Sequence, residues 1–159
     1  MVIKVGETLP GAMFLELGAD GPLKRTVEDV FAGKKVVLFG LPGAFTPTCH
    51  KNHLPGFLEN LDAIKARGVD TVAVVSVNDV WVMGAWAKET KGQGRIVFLA
   101  DGSGDFTQAI GLEADIPGMG LRSRRYSMIV DDRVVRSLNI EEVRGQAVIS
   151  GAATVLSQL

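Results

Sequence analysis

Cysteine is almost absent from this sequence, since only one of its 159 residues, Cys49, is a cysteine. A lone cysteine excludes a disulfide within the chain, and proteins without disulfides are typical of reducing compartments. The N-terminal residues also lack the charged leader and long apolar run of a secretory signal peptide. These absences together predict a soluble protein of the cytoplasm.

An excess of charge is absent as well, because 17 lysines and arginines face 18 aspartates and glutamates. Nucleic-acid-binding proteins usually carry a basic excess, so no nucleic-acid partner is expected. No stretch approaches the roughly 20 apolar residues that a membrane-spanning helix needs, so no membrane partner is expected either. The chain is 47% hydrophobic and 22% charged, which is typical of a folded protein. Its length predicts a single domain covering residues 1–159.

Short apolar segments alternate with helical patterns along the chain, and hairpins precede and follow this alternation. The expected strands are residues 12–17, 23–26, 36–41, 69–77, 96–99, 126–130 and 134–139. The expected helices are residues 27–31, 48–66 with a kink or break at Pro55, 79–90, 105–110 and 150–158. Residues 118–120 are expected to form an irregular link. The pattern predicts an α/β fold with a central mixed sheet flanked by helices on both faces.

Cys49 follows one of these expected strands and begins one of the expected helices. The chain should turn at Pro42 and Gly43, and Thr46 should be the N-cap, its side-chain oxygen accepting from the Cys49 amide. Helix N-termini stabilise anions, and ligands of α/β sheets collect at the carboxyl ends of strands. This position favours a reactive thiolate over the alternative, a cysteine that only fills space in the core.

Several charged or titratable residues are candidate partners of the thiol. His53 lies four residues after Cys49, where it could be the acid–base partner of a cysteine hydrolase, a zinc ligand or a packed structural histidine. One cysteine and two histidines make a poor zinc set, so no metal is expected. The candidate cations are Arg122, Arg124 and Arg125, which could instead form a solvated basic loop. Arg125 directly precedes an expected strand and would share its rigidity.

The segment PGAFTPTCH, followed by NHLPGF, resembles the peroxiredoxins, and the form PGAFTPTC resembles their type II, peroxiredoxin-five-like branch. Further similar segments are KVGETLPG near the start, SVND, RRYSMIVDD and the final LSQL. The resemblance implies a thioredoxin-like fold and thiol-dependent reduction of hydrogen peroxide or organic hydroperoxides. It also implies that Cys49 is the attacking residue and that Thr46, Pro42 and Arg125 complete the site, without a cofactor.

The resemblance carries implications for partners too. Members of the branch commonly form homodimers, which makes the surface near Trp81 and the 119–121 loop with Leu121 the expected interface. Some members have a second cysteine, but this chain has none, so oxidised Cys49 requires an external thiol such as glutathione, glutaredoxin or thioredoxin. The alternative functions are a non-catalytic redox-sensing or partner-binding module and a Cys/His hydrolase.

Overall fold

Seven strands form the central sheet of the computed structural model, which describes residues 1–143 and 145–159. The order across this sheet is β2-β1-β5-β4-β3-β8-β9, and β6 and β7 form a separate two-stranded sheet. The strands are β1 Met13–Gly18, β2 Gly21–Thr26, β3 Lys35–Leu41, β4 Thr71–Ser76, β5 Val97–Ala100, β6 Glu113–Ile116, β7 Gly120–Ser123, β8 Tyr126–Asp131 and β9 Val134–Ile140.

The middle of the sheet is parallel and its outer parts are antiparallel, as the alternation of strands and helices predicts. β3 pairs in parallel with β4, and β4 with β5, whereas β8 and β9 follow as an antiparallel hairpin next to β3. The parallel strands are almost continuously buried, because helices cover both of their faces. The carboxyl end of β3, where Cys49 follows, therefore lies near the centre of the sheet.

Six α-helices occur in the described part of the chain: α1 Val27–Phe31, α2 Leu54–Glu59, α3 Leu61–Ala66, α4 Val80–Glu89, α5 Asp105–Ala109 and α6 Ala152–Gln158. One core contains buried side chains from α2, α3, α4 and α6, and a second core contains those of α1 and α5. Helices thus lie on both faces of the mixed sheet, and the predicted fold class is confirmed. None of the described helices is both long and apolar enough to cross a membrane.

The expectation of an irregular link at residues 118–120 is wrong. This stretch is the turn and first residue of the β6–β7 hairpin, with Gly118 and Gly120 at positive φ angles of 82° and 81°. Glycine adopts such angles without steric cost, which permits the tight turn. The two strands cannot be recognised from the hydrophobic pattern of the sequence, because they are only four residues long and have several exposed or half-exposed side chains.

The helix expected over residues 48–66 begins at Pro47 and is not regular. Its first part is a π-helical turn, Cys49–His53, and α2 and α3 are separated at Asn60. The Leu54 amide donates to the Cys49 carbonyl, five residues back. Pro55 has no N–H to continue an α-helical pattern, and its ring would crowd the carbonyl four residues earlier. The expected irregularity at Pro55 therefore takes the form of a widened turn directly before it.

Candidate active site

A side-chain amide holds the loop between β3 and the Cys49 helix in place. Asn78 Oδ1 accepts a 3.0 Å hydrogen bond from the Ala44 amide and a 2.6 Å hydrogen bond from Ser76 Oγ. Asn78 lies two residues after the end of β4, and the next residue, Asp79, caps α4 through the Val82 amide. The SVND segment thus fixes both the loop before Cys49 and the start of a core helix.

The hydroxyl of Thr46 does not cap the helix as expected. Thr46 Oγ1 donates to the Gly43 carbonyl at 2.6 Å, and the Thr46 carbonyl accepts from the His50 amide at 2.8 Å. No hydrogen bond among the described residues joins the Cys49 amide to the Thr46 side chain. The reason is the Pro-Gly turn, which presents a carbonyl to this hydroxyl before the helix begins. The hydroxyl proton is therefore committed, while the oxygen lone pairs remain available as acceptors.

Arg125 is the candidate arginine that contacts the thiol. Its Nη2 donates to Cys49 Sγ at 3.2 Å, and the Arg125 residue is 7% exposed. Arg122 instead donates to the carbonyls of Pro42 and Met119, and Arg124 lies half-buried without a described side-chain bond to Cys49. A buried guanidinium at this hydrogen-bond distance is placed to donate to Sγ and to interact with negative charge that develops there.

His53 orients Arg125 rather than the thiol. Its Nε2 lies 2.9 Å from the Ser150 carbonyl, which can only accept, so Nε2 carries the proton. Nδ1 is then the acceptor for Arg125 Nη1 at 3.1 Å. Burial, assisted by the Arg125 charge, lowers the pKa of His53 to about 4, so the ring is neutral near neutral pH. The guanidinium therefore contacts His53 through one nitrogen and Cys49 through another.

The lowered pKa of His53 predicts a loss of stability in acid. Above pH 6.5 the ring is neutral in both states; between pH 6.5 and about 4 the unfolded state binds the extra proton. The free energy of unfolding should fall over that interval by at most about 3 kcal/mol. Urea denaturation at a series of pH values measures this. His53→Gln should remove this part of the pH dependence, whereas His50→Gln should keep it; equal pH dependence in all three proteins would contradict the prediction.

The histidines do not provide the acid–base partner of a hydrolase. Both ring nitrogens of His53 are engaged away from sulfur, and His50 Nδ1 accepts from Trp86 Nε1 at 2.9 Å. Within the described residues there is no group of three histidine, cysteine, aspartate or glutamate side chains placed to hold a metal ion. The arrangement supports nucleophilic redox chemistry at sulfur rather than acyl transfer through a Cys–His pair.

Cys49 itself has no exposed surface. A cavity of about 240 Å³ reaches Arg125, and its lining includes Pro42, Ile116, Arg124, Arg125 and Val143 but neither Cys49 nor Thr46. The sulfur is thus closed off from solvent in this conformation. A reactant that enters through this cavity would have to pass the Arg125 guanidinium to reach Sγ.

Sequence patterns did not point to Glu141 and Ser150, which lie next to His53 in the fold. Glu141, directly after β9, is buried and accepts from the amides of Val148, Ile149 and Ser150 and from the Ser150 hydroxyl. Burial alone would raise the pKa of Glu141, but these hydrogen bonds outweigh it and hold the pKa below its usual value. An acidic residue after a strand is ordinarily a solvated one, so its burial was visible only in the fold.

Comparison with known proteins assigns this fold and thiol to the thiol-dependent peroxidases with a thioredoxin-like sheet. The Redoxin family model matches residues 4–156, and the chain belongs to that family. It is 48% identical to peroxiredoxin-2C of Oryza sativa subsp. japonica over 160 residues, covering 99% of this chain and 98% of the relative. The peroxiredoxin resemblance and the peroxidase activity predicted from the sequence are thereby confirmed.

Solved structures agree with this assignment. The structure of reduced Prx3 from Vibrio vulnificus in complex with H2O2 is 47% identical, with a TM-score of 0.94 and coverage of 99% of both chains. Peroxiredoxin 5 from Alvinella pompejana is 37% identical, with a TM-score of 0.85 and coverage of 98% of this chain and 96% of that one. The chain is therefore similar to peroxiredoxins along nearly its whole length.

Proposed function

We propose that Cys49 is the residue that takes oxygen from the peroxide. The Cys49 thiolate attacks one peroxide oxygen, the O–O bond breaks, and sulfur is oxidised to sulfenic acid. The other oxygen leaves with the bonding electron pair and takes up a proton, forming water or an alcohol. The observation that carries this proposal is the 3.2 Å contact between Arg125 Nη2 and Cys49 Sγ in a buried site.

The remaining site residues act on the charge that moves in this reaction. Negative charge passes from sulfur to the leaving oxygen, and the Arg125 guanidinium is fixed beside that path. Because the Thr46 hydroxyl donates its proton to the Gly43 carbonyl, we assign Thr46 Oγ1 the role of accepting a hydrogen bond from the peroxide O–H. Pro42 lines the cavity at the same edge and limits the access of water to sulfur.

The burial of sulfur separates the two half-reactions by the size of the reactant. Hydrogen peroxide is little larger than water and needs only small side-chain movements to pass Arg125 from the cavity. Reduction of sulfenic acid requires a second sulfur in contact with Cys49, which a residue without exposed surface does not permit. The turn at residues 46–53 must therefore open more widely for reduction than for oxidation.

The reductant in this proposal is an external thiol. Cys49 is the sole cysteine, so the sulfenic acid cannot form a disulfide within the chain. Glutathione or glutaredoxin is the proposed reductant, and thioredoxin is the alternative. Hydrogen peroxide and small organic hydroperoxides are the proposed substrates. The cytoplasmic location expected from the sequence stays a prediction.

One assay tests the activity and its rivals together. Peroxide consumption is measured with glutathione alone, with glutathione and glutaredoxin, and with thioredoxin and its reductase, beside hydrolysis of an activated ester. The proposal predicts repeated turnover with at least one thiol system and no ester hydrolysis. A single slow oxidation without turnover would favour a redox-sensing module, and an acyl-enzyme formed with the ester would favour a hydrolase.

We also propose that the protein forms a homodimer through the surface near Trp81 and Leu121. Trp81 is 61% exposed on α4, and Phe45 in the loop before Cys49 is 47% exposed, although both are large and apolar. Exposed aromatic side chains of this kind are enriched at protein interfaces. The Leu121 side chain lies half-buried on the β6–β7 hairpin.

The dimer proposal predicts that Trp81→Glu converts the dimer to a monomer, because a carboxylate would be buried without a partner in the interface. Analytical ultracentrifugation over a range of concentrations measures this. Leu23→Glu is the matched control, since Leu23 is also a large exposed apolar residue, 45% exposed on β2. A monomeric wild-type protein, or a Trp81→Glu variant that dimerises as the wild type does, would contradict this interface.

A further inference from the structure

Glu141 is a buried carboxylate that the proposed chemistry does not use. Its two oxygens accept hydrogen bonds from three consecutive amides, those of Val148, Ile149 and Ser150, at 2.9–3.3 Å. The Ser150 hydroxyl donates to the same carboxylate. One side chain thus fixes the position of the turn that contains Ser150. Without the Glu141 carboxylate, the donors of this turn would lose their hydrogen-bond acceptor.

The turn fixed by Glu141 leads back to the reacting sulfur. The Ser150 carbonyl accepts from His53 Nε2 at 2.9 Å, so Nε2 carries the proton of the ring. His53 Nδ1 is therefore free to accept from Arg125 Nη1 at 3.1 Å. Arg125 Nη2 then contacts Cys49 Sγ at 3.2 Å. Each member of this chain of contacts is buried.

Glu141 also binds the main chain of the same arginine. Its own amide donates to the Arg125 carbonyl at 2.9 Å. The contacts therefore form a closed ring, which runs from the Arg125 backbone through Glu141, Ser150 and His53 to the Arg125 guanidinium. This ring of contacts fixes the position of both the backbone and the guanidinium of Arg125. A guanidinium that is already fixed loses little conformational freedom when it binds the reacting atoms.

We propose that Glu141 is a positioning residue for peroxide reduction, acting through Ser150 and His53 on the direction of the Arg125 guanidinium. This inference rests on the proposed function of Cys49 and Arg125. Without the carboxylate, the amides of the 148–150 turn would lose their acceptor and the Ser150 carbonyl would shift. His53 could then turn or change tautomer, and Arg125 Nη1 would lose its acceptor.

The test is a double-mutant cycle on the rate of Cys49 oxidation by hydrogen peroxide, followed by stopped-flow tryptophan fluorescence. Glu141→Gln places an amide NH2 against the donors of the turn and should slow oxidation about tenfold, the effect of one disturbed hydrogen bond to an oriented group. In an Arg125→Lys background the same substitution should have no further effect, because no guanidinium remains to be directed. Glu89→Gln, an exposed site with the same chemical change, should leave the rate unaltered.

The cycle separates positioning from a general loss of structure. Equal slowing by Glu141→Gln in both backgrounds, or no slowing in either, would overturn the inference. If Glu141→Gln does not fold, Glu141→Asp keeps the charge and the backbone amide and enters the same cycle with the same criteria. A wild-type protein that does not consume peroxide would remove the proposed function itself, whereas a normal wild type with an unaltered Glu141 variant removes this inference alone.

Discussion

The Arg125→Lys variant should react with hydrogen peroxide about 10²–10³-fold more slowly than the wild-type protein, the usual effect of removing one fixed donor from a site where charge develops. The guanidinium contacts His53 Nδ1 and Cys49 Sγ through two different nitrogens of one planar group. A lysine has a single nitrogen on a flexible stem, so it keeps the charge but loses this geometry.

The comparison with Arg125→Ala shows how much of the effect comes from charge and how much from direction. Alanine removes both, so it should slow oxidation more than lysine does. Arg136→Lys is the matched control, because Arg136 is exposed on β9. The rate is measured under single-turnover conditions with excess peroxide. A lysine variant that reacts at the wild-type rate would show that net charge, and not a directed guanidinium, supports the reaction.

Replacement of Cys49 by serine should abolish peroxidase turnover while the fold is retained. Serine is similar in size to cysteine, and its hydroxyl can still accept from Arg125, so the buried site should remain packed. An alcohol does not take an oxygen atom from a peroxide, and the sequence has no second cysteine to replace the first.

The control for Cys49→Ser is its thermal unfolding, which should be close to that of the wild type when followed by circular dichroism. Peroxide consumption is measured with the thiol system that supports wild-type turnover. The five methionines of the chain can also be oxidised by peroxide, but glutathione does not reduce them in a catalytic cycle. Turnover by a folded Cys49→Ser variant would therefore exclude Cys49 as the reacting residue.

Much of the fold could be predicted because its signals are local. The buried strand β3 has a continuous apolar sequence, Asp79 caps α4, and the β8–β9 hairpin spans two apolar segments. The β6–β7 hairpin could not be predicted, since its short strands are only partly buried. The sequence predicted only an irregularity at Pro55 and not the π-helical turn before it. The position of that turn depends on how Cys49 and His53 pack in the fold.

The site was predictable to the same extent. Cys49 and its place at a helix start followed from the sequence, and the peroxiredoxin resemblance selected Arg125 among three arginines. The structure places Arg125 on the sulfur. The direction of the Thr46 hydroxyl and the burial of the thiol were not predictable, because both depend on atoms that the loop brings together. The contact between His53 and Ser150 joins residues 97 positions apart, a separation that leaves no local sequence pattern.

The role of Cys49 as the residue that takes oxygen from the peroxide is tested most directly by mass spectrometry. The reduced protein is treated with one equivalent of hydrogen peroxide and its peptides are then mapped. If Cys49 is the residue that peroxide oxidises, the protein gains one oxygen atom on Cys49. Glutathione then replaces this oxygen with a mixed disulfide, and excess glutathione reduces the mixed disulfide back to the thiol. If the protein consumes peroxide while Cys49 stays a reduced thiol, this role of Cys49 is contradicted.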